Sequence, residues 1–178
     1  NKSAEDQNSS TKTQAKPGNE NTDVNAASVA DGKHTVSVKE ILNGYLEMKN
    51  AFTEDNSTGA ASAGKKLETA FNNFDKSALT EAQKKIYEDV ETDAREHAEH
   101  IGANGGNIEH QREHFEPLSN DIYDMVKAFG SGQVLYRVFD SMYNNGKGAF
   151  WLSETKEIKN PYMGKAMLTS GTIKEEIK

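Results

Sequence analysis

Four of the chain's five histidines fall within one short window, at His97, His100, His110 and His114. Neutral imidazole is the commonest metal-ligating side chain in proteins, and its nitrogen suits both zinc and copper. The first two histidines lie near the end of one predicted helix, and the last two lie near the start of the next. A helical hairpin would bring the two pairs together, so the spacing indicates a metal site shared by neighbouring helices.

The position of each histidine around its helix narrows this hypothesis. At about 100° per residue, His97 lies on the apolar face, whereas His110 points well away from the apolar stripe. His100 and His114 lie on the flanks of their helices and are therefore the candidate ligands. The alternative is that these histidines are ordinary solvated side chains among the neighbouring glutamates: Glu96, Glu99, Glu109, Glu113 and Glu116.

Two methionines are further candidates for a metal site. Met142 follows a predicted strand, and Met167 lies in a Met-Leu-Thr-Ser-Gly segment. Thioether sulfur is a soft ligand that suits Cu(I). Methionine is more commonly a core-filling side chain, so core packing remains the alternative for both residues.

The sequence carries none of the common signatures of an enzyme. It has no phosphate-binding glycine loop, no dinucleotide fingerprint, no G-x-S-x-G and no H-E-x-x-H. The chain contains no cysteine, which excludes disulfides, thiolate nucleophiles and cysteine-based zinc sites. The carboxylates lie on helix faces that look solvated, and no acid–base pair stands out. We therefore expect a protein without enzymatic activity.

Charge and hydropathy exclude two further classes. The 178 residues carry 21 Lys and Arg against 28 Asp and Glu, a net charge of −7. Because there is no basic cluster to displace counterions, we expect no nucleic-acid partner. The apolar runs are too short to span a bilayer.

The elements that must position these side chains are mainly helical. Apolar residues recur at helical spacing in four segments, separated by a break at Thr58-Gly59, a capping box at Thr80 to Gln83 and a glycine-rich stretch at residues 102–106. Pro117 lies inside the fourth segment and would kink or split it. Four amphipathic segments with short connections predict an up-down four-helix bundle.

The chain changes character after about residue 130. Residues 134–139 and 149–152 are β-prone, and the turn signal at residues 144–148 joins them. We predict an irregular, short-stranded C-terminal extension with a small hairpin packed on the bundle. Its large aromatic side chains should be mostly buried, because a small body needs their apolar area: Phe139, Phe150, Trp151 and Tyr162.

Residues 1–34 are rich in Asn, Ser, Thr, Lys and Ala without any period, and they predict a disordered linker. The folded domain should then occupy residues 35–178. The sequence begins with Asn1 and shows no signal segment, which suggests that a leader has been removed or left out. The linker could be an ordinary flexible terminus. It would also suit a tether between an N-terminal lipid anchor and the domain, and such an anchor is the membrane attachment we expect.

Several blocks of sequence resemble an uncharacterised domain family of Gram-negative envelope lipoproteins. The same domain is also found at the C-terminus of CusB-like adaptor subunits of heavy-metal efflux pumps. The resemblance covers about residues 37–178. It depends on Glu99-His100-Ile101, on residues 108–115 (Ile-Glu-His-Gln-Arg-Glu-His-Phe), on residues 146–153 (Gly-Lys-Gly-Ala-Phe-Trp-Leu-Ser), on Asn160-Pro161-Tyr162 and on residues 167–171 (Met-Leu-Thr-Ser-Gly).

This resemblance implies a helical periplasmic domain that handles copper or a similar soft cation, with an efflux or other envelope protein as its partner. The chain departs from the family pattern at two positions. Asp140 and Ser170 stand where the family has cysteine. Without the two thiolates, a soft copper site loses its strongest donors, so it is either lost or shifted towards a harder metal such as zinc.

The sequence therefore predicts a non-enzymatic envelope protein, related to the metal-binding domain of efflux adaptors, with a weakened or lost copper site. The alternative is a structural or partner-binding helical bundle that has no metal function. If a metal is bound, the candidate ligands are His100, His114, Met142, Met167 and Asp140.

Overall fold

Four amphipathic segments of the sequence form four helices in the structure, a computed structural model that describes residues 38–178. The predicted linker of residues 1–34 lies outside the described residues. Consecutive helices pack against one another, which confirms the predicted helical bundle. The helices are α1 (Lys39–Thr53), α2 (Ser57–Asn72), α3 (Glu81–Ala103) and α4 (Ile108–Phe129).

The break between α1 and α2 falls earlier than predicted. It comes just before Asn56, whereas Thr58 and Gly59 belong to the first turn of α2. Asp55 adopts a left-handed conformation with φ of 54°, which turns the chain. The side chain of Asn56 then caps the new helix by accepting a hydrogen bond from the Gly59 N–H at 2.8 Å.

Helices α3 and α4 form a helical hairpin with well-defined ends. The predicted capping box is present, with Thr80 accepting from the Gln83 N–H and Gln83 accepting from the Thr80 N–H. Helix α3 ends at Ala103, and Gly106 follows with a positive φ of 102°. Within residues 38–178, no helix combines the length and apolar character needed to cross a bilayer.

Helix α4 runs on through Pro117, so the predicted split does not occur. A proline inside a helix removes one N–H and frees the carbonyl four residues earlier, here that of Glu113. Glu113 is exposed, so water can satisfy this carbonyl. The helix therefore loses one hydrogen bond without burying an unsatisfied group.

The core lies between the helices and is rich in aromatic rings. Phe115 of α4 stacks on Tyr45 of α1 at 5.2 Å and contacts Phe52 at 5.0 Å. At Gly64, α2 and α3 approach so closely that an added Cβ would lie 2.7 Å from the Ala98 carbonyl oxygen. The first and last helices are thus joined by aromatic packing, and the second and third by direct backbone contact.

The C-terminal extension forms a small antiparallel sheet of order β2-β1-β3, which confirms the short-stranded extension. The predicted hairpin is present, with Val138 opposite Trp151. Asn144 and Asn145 in its turn adopt left-handed conformations. The third strand was not predicted. The strands are β1 (Leu135–Asp140), β2 (Ala149–Ser153) and β3 (Thr172–Ile177).

The aromatic side chains of this extension divide between the two faces of the sheet. Trp151 and Tyr162 are buried, as predicted. Phe139 and Phe150 are partly buried and more exposed than the other two. Successive residues of a strand point to opposite faces, so Phe150 lies on the face opposite Trp151, where its ring pairs with that of Phe139 at 4.6 Å.

Hydrogen bonds as well as apolar contacts join the sheet to the bundle. The Tyr45 hydroxyl of α1 accepts a hydrogen bond from the Leu152 N–H at 3.0 Å. Lys49 of the same helix forms an ion pair of 2.7 Å with Glu154, just beyond β2. The sheet is therefore tied to the helices by a buried hydroxyl and a buried ammonium group.

Candidate metal centre

The hairpin of α3 and α4 fixes the relative positions of the histidines. The two helices run antiparallel, because His97 contacts His114 and His100 contacts His110. The connection is short, and the Asn107 side chain caps α4 by accepting from the His110 N–H at 3.3 Å. The last turns of α3 therefore lie beside the first turns of α4.

Three histidines of this hairpin offer ring nitrogens close to one another. One nitrogen from each of His100, His110 and His114 lies within 4.8 Å of the other two. The structure thus brings the candidate ligands His100 and His114 together. It adds His110, which the helical spacing predicts to point away from the apolar stripe. The side chains of His100 and His110 are 45% and 37% exposed, so the cluster is open to solvent.

The fourth histidine, His97, is hydrogen-bonded to this cluster. Its Nδ1 lies 3.0 Å from Nδ1 of His114. Partial burial lowers the pKa of His97, and burial followed by the neighbouring histidines lowers the pKa of His114. Both rings are therefore neutral at pH 7, which is the form of imidazole that binds a metal.

Carboxylates flank the other two rings. Glu113 Oε2 lies 3.3 Å from Nδ1 of His110, and Glu96 Oε1 lies 3.8 Å from Nε2 of His100. Metal-ligating histidines usually direct their second ring nitrogen at a carboxylate or similar acceptor, which orients the ring. The cluster thus has acceptors of the kind that surround known metal sites.

Binding of a metal ion would require one ring to turn out of its stack. Zinc binds histidine nitrogen at about 2.0–2.1 Å, which places tetrahedral ligand nitrogens about 3.3 Å apart. The rings of His100 and His114 are stacked at 4.5 Å with an angle of only 10° between their planes. In-plane lone pairs of two stacked rings cannot meet at one ion. A hydrogen bond to His97 holds the ring of His114. The more exposed ring of His100 would therefore be the one that turns.

Comparison with known families places this hairpin within a recognised domain. Residues 41–134 match the family described as "Protein of unknown function (DUF3347)", which is more than half of the chain. The chain belongs to this family. Searches of curated proteins and of solved structures gave no match. The DUF3347 match includes α2, α3, α4 and all four clustered histidines, and it ends before β1.

The remaining predicted ligands lie in the extension, beyond the DUF3347 match. Asp140 is buried at the end of β1, where its carboxylate accepts from the Met142 N–H at 2.7 Å and from the Asn160 side chain at 2.5 Å. Met142 and Met167 are 53% and 38% exposed. Among the described residues, no hydrogen bond or ring contact joins these three to the histidines. The group of mutually close ligand atoms consists of histidine nitrogens alone.

The two positions at which the resembled family has cysteine converge on one side chain. Nδ2 of Asn160 donates to the carboxylate of Asp140 and also to the carbonyl of Ser170. The carboxylate of Asp140 is therefore engaged in hydrogen bonds that hold the loop before β3. It would have to give these up before it could ligate a metal.

An acidic groove adjoins the histidine cluster on α4. It has a volume of about 320 Å³, and the turn between β1 and β2 forms its other wall. Burial, followed by nearby glutamates, raises the pKa of Tyr143 in this wall to about 12. Carboxylates along one face attract cations from solution. The groove is lined by Glu109, Glu113, Glu116, Tyr143, Asn144 and Asn145.

Proposed function

We propose that this DUF3347 domain binds a divalent transition metal ion, Zn²⁺ or Cu²⁺, through His100, His110 and His114. The observation that carries the proposal is the approach of three ring nitrogens, one from each residue, to within 4.8 Å of one another. Acceptors beside the rings and an acidic groove on the same helix support it.

The ligand set favours Zn²⁺ and Cu²⁺ over Cu(I). Imidazole is a borderline ligand that suits both divalent ions, whereas Cu(I) prefers thiolate and thioether donors. The chain has no cysteine. The carboxylate of Asp140, which stands where the resembled family has a thiolate, is held in hydrogen bonds. This supports a weakened soft-metal site in the extension and a shift of metal binding to the hairpin.

Three protein ligands leave a fourth position of the metal open. Closed four-ligand sites are typical of structural zinc, whereas an open position lets a second molecule reach the metal. His100 and His110 are partly exposed, so this position would face solvent. We therefore propose a non-enzymatic metal carrier or buffer of the cell envelope, lipid-anchored and related to the metal-binding domain of efflux adaptors.

Calorimetric titration of the full chain with Zn²⁺ and with Cu²⁺ tests the metal proposal. We expect one saturable site per chain. Replacing one ligand, by His110→Ala, should weaken binding at least about tenfold. The matched control is His34→Ala, which removes the one histidine outside the hairpin window and should leave affinity unchanged.

Three results would contradict the proposal. Absence of saturable binding would favour a structural or partner-binding bundle with no metal function. Equal loss in the His34→Ala and His110→Ala variants would indicate non-specific binding. A variant that replaces both Met142 and Met167 by leucine locates the site: unchanged Zn²⁺ affinity supports the hairpin, and loss of binding would place the metal at the extension instead.

A further inference from the structure

The hydrogen bond between His97 and His114 carries an inference that rests on the proposed function. We propose that His97 is a positioning residue, which accepts the Nδ1 proton of His114 and so leaves Nε2 of His114 as the metal-binding atom. His97 itself would not contact the metal. It would select the tautomer and fix the ring plane of a ligand.

The distance between the two nitrogens limits the arrangements of protons. At 3.0 Å, one Nδ1 donates a proton and the other accepts it. If His114 donates, its Nε2 carries a free lone pair. If His97 donates, Nδ1 of His114 is occupied as an acceptor and its Nε2 carries the proton, so neither nitrogen can bind a metal. Only the first arrangement suits a ligand.

A second ligand of the cluster shows the same arrangement. Nδ1 of His110 lies 3.3 Å from the carboxylate of Glu113, which is a hydrogen-bond acceptor. That contact requires the proton on Nδ1 and leaves Nε2 of His110 free. His110 and His114 would then both use Nε2, and each would have an acceptor behind its ring, of which His97 is one and Glu113 the other.

The burial of His97 suits this role. His97 is partly buried, on the side of α3 that faces α4, and its ring lies 5.3 Å from that of His114. A ligand held by such a partner needs less reorganisation when the metal arrives. The helical spacing predicts that His97 lies on the apolar face of α3, which is compatible with a supporting residue behind the ligands.

The tautomer can be measured without any metal. Long-range ¹H–¹⁵N NMR correlations on histidine-labelled full chain, at about pH 8.5 where free imidazole is neutral, distinguish the two forms of each ring. We expect His114 to carry its proton on Nδ1, and to lose this preference in a His97→Phe variant. A proton on Nε2 of His114 in the unsubstituted protein would overturn the proposal.

Metal affinity supplies the second readout. His97→Phe should weaken Zn²⁺ binding about 10- to 100-fold. His97→Gln, whose amide oxygen can accept the same proton, should recover most of that loss. Unchanged affinity in both variants would overturn the proposal. Equal loss in both would also overturn it, because that result would show that His97 acts through packing alone.

The two readouts separate this inference from the function on which it rests. If no variant and no unsubstituted chain binds Zn²⁺, the proposed function fails, while the NMR result still decides whether His97 sets the tautomer of His114. If Zn²⁺ binding requires both His110 and His114, but the proton of His114 lies on Nε2 in the metal-free protein, the proposed function stands and the role of His97 fails.

Discussion

The side chain of Asn160 donates a hydrogen bond of 2.5 Å to the carboxylate of Asp140 and another of 3.0 Å to the carbonyl of Ser170. Its Oδ1 also accepts from the N–H groups of Tyr162 and Met163. One fully buried amide thus holds the end of β1 against the loop that leads to β3. The extension depends on this polar contact as well as on its aromatic core.

Asn160→Ala should therefore be strongly destabilising. The substitution leaves the buried carboxyl group of Asp140 without its side-chain partner, and leaving a buried hydrogen-bonding group unsatisfied costs about 1–3 kcal/mol. Urea unfolding of the full chain measures this change. The control is Asn120→Ala, which removes a half-exposed amide from α4 and should cost less than about 1 kcal/mol. Similar losses in both variants would contradict the role of Asn160.

Trp151 is the largest fully buried side chain of the protein within residues 38–178. Trp151→Ala should lower the free energy of unfolding by about 3–5 kcal/mol, because a large cavity replaces the indole. The neighbouring Phe150 is only half-buried on the opposite face of β2, so Phe150→Ala should cost clearly less. Equal losses, measured by thermal and urea unfolding, would contradict this division of the two faces.

The crossing of α2 and α3 depends on the absence of a side chain at Gly64. An added Cβ would lie 2.7 Å from the carbonyl oxygen of Ala98 and 2.8 Å from the nitrogen of Gly102. Gly64→Ala should cost about 1–3 kcal/mol, despite the better helix propensity of alanine, because backbone must move to accept it. Ser62→Ala on the exposed side of α2 is the control and should be near neutral. If Gly64→Ala were as stable as the Ser62→Ala control, α2 and α3 would have to lie farther apart than the close approach at Gly64 implies.

The helices were predictable from the sequence because each has both an apolar stripe and a local end signal. The Thr80 capping box fixes the start of α3 in sequence and in structure. The predicted start of α2 is too late, because Thr58-Gly59 resembles a helix break, whereas the cap is the side chain of Asn56. Strand β3 was missed because an exposed edge strand needs few apolar residues, and Thr172–Ile177 has only two.

The histidine cluster was only partly predictable, for a geometrical reason. The predicted ligands were chosen by the angular position of each histidine relative to the apolar stripe of its helix, which faces the core. The cluster instead lies along the outer seam of α3 and α4, where a residue far from the stripe can still meet the neighbouring helix. His110 was not among the predicted ligands for this reason. The hydrogen bond of His97 to His114 depends on the register of the hairpin, which no spacing within one helix reveals.

Asp121 on α4 should make stability depend on pH. Burial, followed by the carboxylates of Asp93 and Asp124, raises the pKa of Asp121 to about 7, against about 3.9 in an unfolded chain. Between these values the folded state holds a proton that the unfolded state has lost. Ionisation of Asp121 therefore lowers the free energy of unfolding as pH rises from about 4 to about 7. Above that range the loss is complete and no longer changes with pH.

Asp121→Asn removes this penalty. The variant should be more stable than the unsubstituted protein at pH 8, by about 1–2 kcal/mol after allowance for partial exposure, and the gain should vanish near pH 4. The difference between the two unfolding curves at each pH isolates this group from His97 and His114, whose lowered pKa values act in the opposite direction. Asp89→Asn on exposed α3 surface is the control. A gain that does not change with pH would refute the titration of Asp121.

The exposed seam that carries the histidines has a consequence for how such a site can evolve. Within residues 38–178, none of these four side chains belongs to the apolar core, which is built from other positions of the same helices. Substitutions at the seam can therefore add, remove or retune metal ligands without repacking the interior. Two proteins with the same helical bundle could therefore differ completely in metal preference. Among such proteins the residues at the seam would change faster than the residues of the core.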